Sequence, residues 1–444
     1  MTIDKALQNL DGKKTATLFS ELYGSGESVL TGQKKRYAAL IEQFKKRFGD
    51  DEIRIFSCPG RSEIGGNHTD HNHGKVLAAS IQKDCIAVIS KTTDNSISIY
   101  DESYHEDYRI DLKGGLAPVQ NEKGSIALVR GIAAGFGKNG FAAGGFKACV
   151  SSQVLSGSGV SSSAAFEMLI CGILNRLYND GKIPVEQLAR IGQYAENNYW
   201  GKNSGLLDQM ACAFGGMVAM DFNNPAAPVV KRIPFDFAAQ NFRLILVDTG
   251  GSHANLSEAY SAIPGEMKSV ASFFGKEVLR DIPLEDIIKN LPALRAQYGD
   301  RAVLRALHFA EENSRVDAEV KALEENDFPA FLRLVNESGN SSYKLLQNVA
   351  LPGTNPAAPM SEQKIPVCLA LTEIFFHMHN IEGACRVHGG GFAGVIQVFI
   401  PAAQVDGYTA WMLQGLGVPT DAAAEGPVFV MSVRHQGFLE IEPA

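Results

Sequence analysis

The chain has 444 residues, which is enough for two or three domains. Apolar residues make up 45% and charged residues 20%, a mixture typical of globular proteins that argues against a disordered, fibrous or disulfide-built chain. The formal net charge of −8, from 41 basic and 49 acidic residues, disfavours a nucleic-acid partner but permits a local basic pocket for an anion.

The seven cysteines are scattered and form no C-x-x-C pair, as is typical of reduced, buried thiols in a cytoplasmic protein. The N-terminal sequence MTIDKALQNLDGKK has no apolar stretch after a basic one, so we expect no signal peptide. No uninterrupted apolar run reaches the roughly 18 residues of a membrane helix. The sequence therefore predicts a soluble, cytoplasmic chain without a membrane partner, and it leaves the oligomeric state open.

The first half of the chain mixes strand and helix patterns. Residues 1–32 are polar and weakly patterned, and we interpret them as an N-terminal extension. Apolar residues then recur at helical spacing from Lys34 to Phe48, and Gly49 closes that helix. The strands predicted next are 53–57, 76–81, 85–90 and 96–100, and the helices are about 125–137, 161–178 and 185–200.

The second half opens with a strand-like segment at 243–249 and is mostly helical. It is predicted to contain helices at 301–325, 329–346, 366–380 and 403–415 and strands at 395–400, near 428–432 and near 438–442. Residues 223–234 are the best linker candidate, and residues 351–363 are typical of a surface loop. This mixture without strict βαβ alternation favours an α+β fold with domains at 33–234 and 235–444.

A glycine- and serine-rich segment, QVLSGSGVSSSAA, spans Gln153–Ala165 between a predicted strand and an apolar helix. Gly157 and Gly159 allow backbone amides to point into one concavity, to which the start of the helix adds its positive end. The serines add hydroxyls for phosphate oxygens or a magnesium ion. The pattern indicates a polyphosphate cradle that is not a Walker A motif, although a simple loop with a serine N-cap has the same pattern.

A second segment, CPGRSEIGGNHTDHNHG, spans Cys58–Gly74, and Pro59 and Gly60 predict a turn in it. Polar side chains crowd the residues that follow, namely Arg61, His68, Asp70, His71 and His73. Three interpretations stay open for this loop: a polar turn, a metal site, and recognition of sugar hydroxyls by a carboxylate with nearby His and Asn.

Two further segments carry candidate chemistry. RVHGGGFAG, at Arg386–Gly394, has three consecutive glycines before a strand, which permit close approach of the backbone to a ligand or another loop. In the segment 193–215, Asp208 lies within an apolar stretch, twelve residues after Glu196. Because carboxylates are seldom buried without a partner, Asp208 is predicted to be paired or catalytic.

Together the four segments resemble the galactokinase branch of the GHMP kinase superfamily. The sugar signature of that family, G-R-x-N-x-I-G-E-H-x-D-Y, corresponds to GRSEIGGNHTDH, and the phosphate motif G-x-G-L-S-S-S-A corresponds to GSGVSSSAA. AENNYWGKNSGLLDQ and GGGFAG correspond to the third and fourth motifs, and the order agrees over about residues 50–442. The resemblance implies a two-domain GHMP kinase fold, with a ribosomal-protein-S5-like N-terminal domain and a ferredoxin-like C-terminal domain.

The resemblance also implies roles for individual residues. Asp208 corresponds to the general base that faces the anomeric hydroxyl, and Arg61 to the guanidinium that keeps this base ionised and stabilises phosphoryl charge. Ser163 and Glu196 would hold Mg²⁺. The ATP-binding residues would be Ser156, Gly157, Ser158, Gly159, Val160, Ser161, Ser162 and Ser163, and the sugar-binding residues would be Asn67, His68, Asp70, Gly205 and Tyr260.

The chain departs from the family motifs mainly at the edge of the sugar pocket. Asn67 stands where the family has a glutamate that contacts the exocyclic hydroxyl at C6, and His71 stands where it has a tyrosine. Ser62–Glu63 replace Val-Asn, and Ala393 replaces Gly. The phosphate motifs match those of the family, whereas the edge of the sugar pocket differs. The resemblance therefore implies galactose as the default substrate, and a change of specificity would be expected for the group at C6 of the sugar.

The sequence thus predicts a kinase that uses ATP and Mg²⁺ to phosphorylate C1 of galactose or a close relative. A kinase for a related sugar (galacturonate, L-arabinose or an amino sugar) is one alternative, because a neutral Asn67 removes a like-charge penalty against uronates. A non-catalytic sensor of galactose and ATP is a second alternative. A metal hydrolase built on the histidine-rich loop is the third.

Overall fold

The computed structural model describes residues 1–154, 159–202, 204–251, 256–350, 363–419 and 426–442, without the side chain of Ser257. The helices are α1 Ile3–Asn9, α2 Lys13–Tyr23, α3 Glu27–Phe48, α4 Ser125–Lys138, α5 Ser162–Tyr178, α6 Val185–Ala195, α7 Leu207–Phe214, α8 Ser257–Phe273, α9 Leu284–Lys289, α10 Leu291–Tyr298, α11 Asp300–Glu324, α12 Phe328–Ser341, α13 Lys364–His379 and α14 Val405–Leu416. The strands are β1 Arg54–Gly65, β2 Lys75–Lys91, β3 Ser96–Asp101, β4 Glu106–Asp111, β5 Phe146–Ser152, β6 Met217–Asp221, β7 Val229–Ile233, β8 Phe242–Asp248, β9 Ala384–Val387, β10 Val395–Pro401, β11 Val428–Met431 and β12 Leu439–Ile441.

The larger sheet is built around a long antiparallel hairpin of β1 and β2. Its strand order is β12-β1-β2-β5-β3-β4, with β6 paired to β2 and β7 paired to β6. The prediction of two short strands at 76–81 and 85–90 is wrong, since β2 is continuous through the polar residues 82–84. The strand continues because Asp84 is buried against Arg36 and Arg434, which lie far away in the sequence where local patterning cannot detect them.

β1 carries the first half of the histidine-rich segment. The predicted turn at Pro59 and Gly60 is wrong, because both residues lie inside β1, where the pairing with β2 shifts register between Pro59 and Arg61. A second register shift lies between Glu63 and Gly65. Bulges of this kind bend a strand and re-aim its side chains, and here they lie directly beside Arg61.

The N-terminal residues form a helical layer rather than a weakly patterned extension. α1, α2 and α3 pack against one face of the larger sheet, and α3 begins at Glu27, seven residues before the predicted start. The buried contact includes Phe19, Leu22, Tyr37, Phe44, Ile55, Ile86, Val88 and Ile441. In α2 the buried side chains recur three and four residues apart, which is the spacing of an amphipathic helix.

The smaller sheet has the order β11-β8-β10-β9 and packs against α13 and α14. The last strand, β12, returns to the larger sheet, where Ile441 pairs with Ile55. The mixture of helices with mostly antiparallel strands confirms the predicted α+β class. None of the helices in the described ranges is both long and apolar enough to cross a bilayer.

The sequence predicts a linker at 223–234 and a surface loop at 351–363, and the structure tests only the first of these. The linker prediction at 223–234 is wrong for its second half, because Val229–Ile233 form β7 and pair with β6. The predicted loop at 351–363 lies outside the described residues, except for its last residue. The division into domains at 33–234 and 235–444 stays a prediction.

Candidate active site

Asp208 and Arg61 form an ion pair at the start of α7. Nε and Nη2 of Arg61 lie 2.8 and 2.7 Å from Oδ1 of Asp208, and Ser161 donates a hydrogen bond to Oδ2. Burial raises the pKa of Asp208, but the Arg61 guanidinium, the Ser161 hydroxyl and the charge of Lys202 together outweigh it and hold the pKa below its ordinary value. The carboxylate is therefore ionised, and 29% of its side chain remains exposed, so it can accept a proton from a ligand.

The described end of the predicted phosphate segment lies beside this ion pair. Gly159 has a φ of +70°, and its carbonyl accepts a hydrogen bond from Nη1 of Arg61. The carbonyl of Val160 accepts from the amide of Arg61 at 3.2 Å. The remaining predicted residues of this loop, Ser156, Gly157 and Ser158, lie outside the described residues.

Helix α5 begins at this point. Ser161 precedes it with a φ of +61°, and Ser162 and Ser163 form its first turn. The first amides of a helix have no partner within the helix and carry the positive end of its dipole. The 17-residue α5 therefore directs an anion-binding end to the place where the sequence predicts the phosphates.

Glu196 and Ser163 meet where a helical turn after α6 approaches the start of α5. The predicted helix at 185–200 is α-helical only to Ala195, and a π-helical turn, Glu196–Trp200, follows. Oγ of Ser163 lies 2.8 Å from Oε1 of Glu196. Such turns are frequent at functional sites because they re-aim side chains within a helix.

The ammonium group of Lys202 contacts the same two oxygens. Nζ of Lys202 lies 2.7 Å from Oε1 of Glu196 and 3.4 Å from Oγ of Ser163. A carboxylate and a hydroxyl that converge on a positive charge fit Mg²⁺, which takes few protein oxygens and keeps several of its waters. Lys202 was not predicted from the sequence, because a lysine in a polar turn carries no local signal of this contact.

Gln209 connects two buried carboxylates behind the site. Its Nε2 lies 2.9 Å from Oε2 of Glu167 and 3.0 Å from Oε2 of Glu196. Burial, reinforced by the nearby Glu196, raises the pKa of Glu167 well above its ordinary value. Gln209 was also missed, although its position next to Asp208 in an apolar run was an available signal.

Asp70 and Gly205 contact each other in the predicted sugar pocket. A Cβ at position 205 would lie 1.7 Å from Oδ2 of Asp70, so any residue other than glycine would displace this carboxylate. The amide of Leu207 lies 3.5 Å from the same oxygen, and the amide of His71 donates to Oδ1 at 3.0 Å. These contacts fix the carboxylate close to the start of the helix that carries Asp208.

His68 and Tyr260 hold the glycine triplet of the fourth motif. Nε2 of His68 lies 3.0 Å from the carbonyl oxygen of Gly390, and the hydroxyl of Tyr260 donates to the carbonyl of Gly391 at 3.0 Å. Burial lowers the pKa of His68 to about 3, so its ring is neutral. The structure therefore brings both predicted sugar-binding residues to one loop, Gly389–Gly391.

Asn67 lies behind the pocket and is fully buried. Its Nδ2 donates to Glu63 at 2.8 Å and to the carbonyl of Gly389 at 2.7 Å. Its Oδ1 accepts from Asn348 at 2.9 Å and from Ser342 at 3.2 Å. An amide side chain can make about four hydrogen bonds, and all of them are used within the protein. These bonds hold Asn67 within the protein, and its assignment as a sugar-binding residue stays a prediction.

The described residues contain no set of ligands for the metal site that was one interpretation of the histidine-rich loop. Within the described ranges, no three side chains of the types His, Cys, Asp and Glu are grouped so that they could hold a metal ion. His68 contacts a carbonyl group, and His71 lies 3.9 Å from Asp70. The hydrolase alternative therefore has no metal centre in this part of the chain.

Comparisons with known proteins show what the chain is similar to. A family model for the galactokinase galactose-binding signature matches residues 42–91, and a model for the GHMP kinases N terminal domain matches residues 127–216. The chain is 31% identical over 389 residues to a galactokinase of Streptomyces coelicolor, covering 85% of this chain and 94% of that protein. It belongs to the galactokinase family. A galactokinase of Actinobacillus pleuropneumoniae is 28% identical over 370 residues, covering 82% and 90% of the two chains.

Solved structures show the fold of this galactokinase family member. The crystal structure of Lactococcus lactis galactokinase complexed with galactose has a TM-score of 0.76 at 22% identity, covering 91% of this chain and 100% of that one. The mevalonate kinase of Methanococcus jannaschii has a TM-score of 0.58 at 15% identity, covering 86% and 98% of the two chains. The predicted GHMP kinase fold and the resemblance to galactokinases are confirmed.

Proposed function

We propose that this galactokinase family member is a sugar 1-kinase that transfers the γ-phosphoryl group of ATP to the anomeric hydroxyl of galactose. The observation that carries the proposal is the pair of Asp208 and Arg61, an ionised carboxylate with an exposed face beside the anion-binding end of α5. A sensor of sugar and ATP would need to recognise both ligands but would need no base. The intact pair therefore favours catalysis over sensing.

In this reaction Asp208 accepts the proton of the C1 hydroxyl as the hydroxyl oxygen attacks the γ-phosphorus in line and ADP departs. Arg61 holds the carboxylate through two nitrogens and places its positive charge beside the transferring phosphoryl group. The transition state of such transfers is loose, so positioning and charge neutralisation supply most of the acceleration. The direct contact of Arg61 with Asp208 supports the assignment of both functions to this pair.

ATP would bind with its phosphates along residues 156–163, against the first turn of α5. Ser163 and Glu196 would hold Mg²⁺, which neutralises phosphate charge when it is bound. Lys202 brings a further positive charge to the same point. A small set of protein oxygens is the arrangement expected for a metal that is bound together with a nucleotide.

The sugar would lie between Asp208 and the cluster of Asp70, His68, Gly205 and Tyr260. The Asp70 carboxylate can accept hydrogen bonds from two adjacent hydroxyls, and Gly205 leaves the space for it to do so. The side chain of Asn67 makes its hydrogen bonds within the protein, so it offers no free donor to a C6 carboxylate, and galactose remains the proposed sugar.

We also propose that the protein works in the cytoplasm. All seven cysteines are free and buried, as expected for a chain that matures under reducing conditions. The expected partners are the sugar and ATP, and the net charge of −8 argues against nucleic acid.

The test is a coupled assay of ADP release with galactose, galacturonate, L-arabinose, galactosamine and glucose at saturating MgATP. We expect galactose to give the highest kcat/KM. Turnover of galacturonate or L-arabinose above that of galactose would replace the sugar in this proposal. Binding of galactose and ATP without ADP release would replace the kinase with the sensor.

A further inference from the structure

His388 is a buried histidine at the junction of the two sheets. It follows β9 directly, precedes the glycine triplet and is 1% exposed. Its ring lies against Gly159, since a Cβ at Gly159 would come within 3.3 Å of Nδ1 of His388. Gly159 is the residue whose carbonyl accepts from Arg61. His388 and Arg61 therefore both contact Gly159, at the edge of the site described above.

The protein fixes the protonation state of this ring. The backbone amide of Glu63 donates to Nε2 of His388 at 3.1 Å. The hydroxyl of Ser62 lies 3.0 Å from the same nitrogen and itself accepts from Gln397 at 2.8 Å, so its hydrogen is free to point at Nε2. A nitrogen approached by two donors is an acceptor, which leaves the ring proton on Nδ1. Burial, with Arg61 and Arg386 nearby, lowers the pKa of His388 well below its ordinary value, so the ring is neutral.

The Nδ1–H group has no hydrogen-bond partner among the described residues. A buried donor is normally satisfied by protein, water or ligand. Here both bonds to Nε2 aim the donor at Gly159, which is the described end of the phosphate segment. The position lies next to the guanidinium that binds Asp208.

We propose that Nδ1–H of His388 donates a hydrogen bond to a non-bridging oxygen of the phosphoryl group that is transferred, so that His388 is a further catalytic residue. This inference rests on the proposed kinase function. A neutral donor at this point adds to the charge of Arg61 without competing for the proton that Asp208 accepts. Fixed donors aimed at developing charge contribute strongly to rate because they need no reorganisation during the reaction.

Two substitutions separate the donor from the packing of the ring. In His388→Gln the side-chain oxygen can take the place of Nε2 and accept from Glu63, whereas no donor remains near the position of Nδ1. In His388→Asn the amide nitrogen can take the place of Nδ1, whereas the acceptor for Glu63 is lost. The first variant removes the proposed catalytic contact, and the second removes the contact that holds the ring.

We expect kcat of His388→Gln to fall by about 10²-fold, as for loss of one preorganised donor, with KM for galactose and ATP within about twofold of wild type. Its melting temperature should stay within about 2 °C, whereas His388→Asn should keep more of kcat and melt lower. His377→Gln, an exposed change on α13, is the matched control and should change neither quantity.

A kcat of His388→Gln within threefold of wild type would overturn the inference. A fall of kcat that comes with an equal rise of the ATP KM and a lower melting temperature would also overturn it, because the donor then serves the loop and not the reacting group. Lack of turnover in wild type with every sugar would overturn the proposed function itself. Normal wild-type turnover with normal His388→Gln turnover overturns only the role of His388.

A measurement on wild type covers the case in which the variants fail to fold. The protein is labelled with ¹⁵N-histidine, and the Nδ1–H resonance is followed in the complex with galactose, Mg²⁺ and ADP before and after addition of aluminium fluoride, which mimics the transferring group. A downfield shift of this proton on addition of the fluoride complex supports the inference. An unchanged resonance overturns it.

Discussion

Asp84 and Asp208 are both carboxylates paired with arginine inside the protein, yet only Asp208 keeps an exposed face. The Asp84 side chain is 0% exposed, whereas 29% of the Asp208 side chain is exposed. Asp208 has two partners, Arg61 and Ser161. Asp84 accepts hydrogen bonds from Tyr23, Arg36, Ser57 and Arg434.

The comparison shows what separates a structural ion pair from a candidate catalytic one. In both cases burial raises the carboxylate pKa, and the nearby cations and hydroxyl donors together lower it by more, so a low pKa alone identifies neither role. Asp84 uses its oxygens to join the N-terminal helices, β1 and the C-terminal segment. Asp208 leaves space for a substrate hydroxyl. The exposed face therefore identifies the site.

The largest expected effect is on the exposed carboxylate. Asp208→Asn keeps the shape of the side chain and removes the proton acceptor, so turnover should fall by about 10²–10⁴-fold. The melting temperature and the affinities for ATP and galactose should change little. Turnover above about a tenth of the wild-type value would exclude Asp208 as the base.

The matching change in the structural pair should affect stability instead. Asp84→Asn leaves Arg36 and Arg434 without their countercharge, and breaking a buried pair in this way typically costs about 3–5 kcal/mol. Urea unfolding measures this loss. Asp107→Asn, which removes a 63% exposed partner of Arg47, is the control and should cost about 1 kcal/mol or less. Equal losses in the two variants would contradict the account of Asp84.

Asn67 provides a third case, a buried amide in contact with a carboxylate. Asn67→Glu would place a second carboxylate against Glu63 and the carbonyl of Gly389, so we expect a loss of about 1–3 kcal/mol and no gain in kcat/KM for galactose. Asn223→Glu, at an exposed position, is the control. A gain of tenfold or more for galactose, with a loss for galacturonate, would restore Asn67 as a specificity residue.

The metal site should respond more weakly than the base. Glu196→Gln and Ser163→Ala each remove or weaken one oxygen ligand, so the Mg²⁺ concentration for half-maximal activity should rise about tenfold. The KM for galactose should stay within about twofold. An unchanged Mg²⁺ titration in both variants would contradict the assignment.

The smallest expected effect is the pH dependence of the contribution that Asp84 makes to the free energy of unfolding. Its pKa is lowered in the folded protein by Arg36 and Arg434, so its stabilisation is fully present above the unfolded pKa of about 3.9 and is lost as pH falls through the folded value. The difference in unfolding free energy between wild type and Asp84→Asn should be constant from about pH 7 to pH 5 and shrink below about pH 4. A difference that already shrinks between pH 7 and pH 6 would contradict this.

The sequence singled out residues that the structure brings together, but it did not predict the packing around them. Asp208, Arg61 and Ser163 lie in compact motifs, and the resemblance of these motifs to a known family was enough to select them, whereas their roles stay predictions. The continuity of β2 could not be predicted, because Asp84 is neutralised by Arg434, 350 residues away. The same limit applies to Glu63, whose partner Arg386 lies 323 residues away.

The positions of Asn67 and His388 show this limit within the site itself. Both belong to motifs that the sequence analysis quoted, but their side-chain directions are set by contacts between the two sheets. A motif gives the residue types at a site. Which of them faces the ligand depends on packing over the whole chain.

The most direct test of the central claim is the identity of the product formed by wild type and by Asp208→Asn. Each protein is incubated with MgATP and ¹³C1-galactose, and ³¹P and ¹³C spectra are recorded together with ADP release. The account predicts that wild type forms one sugar phosphate per ADP, with phosphorus coupled to C1, and that Asp208→Asn forms almost none. Phosphorylation at another carbon, or an equal amount of product from Asp208→Asn, would contradict it.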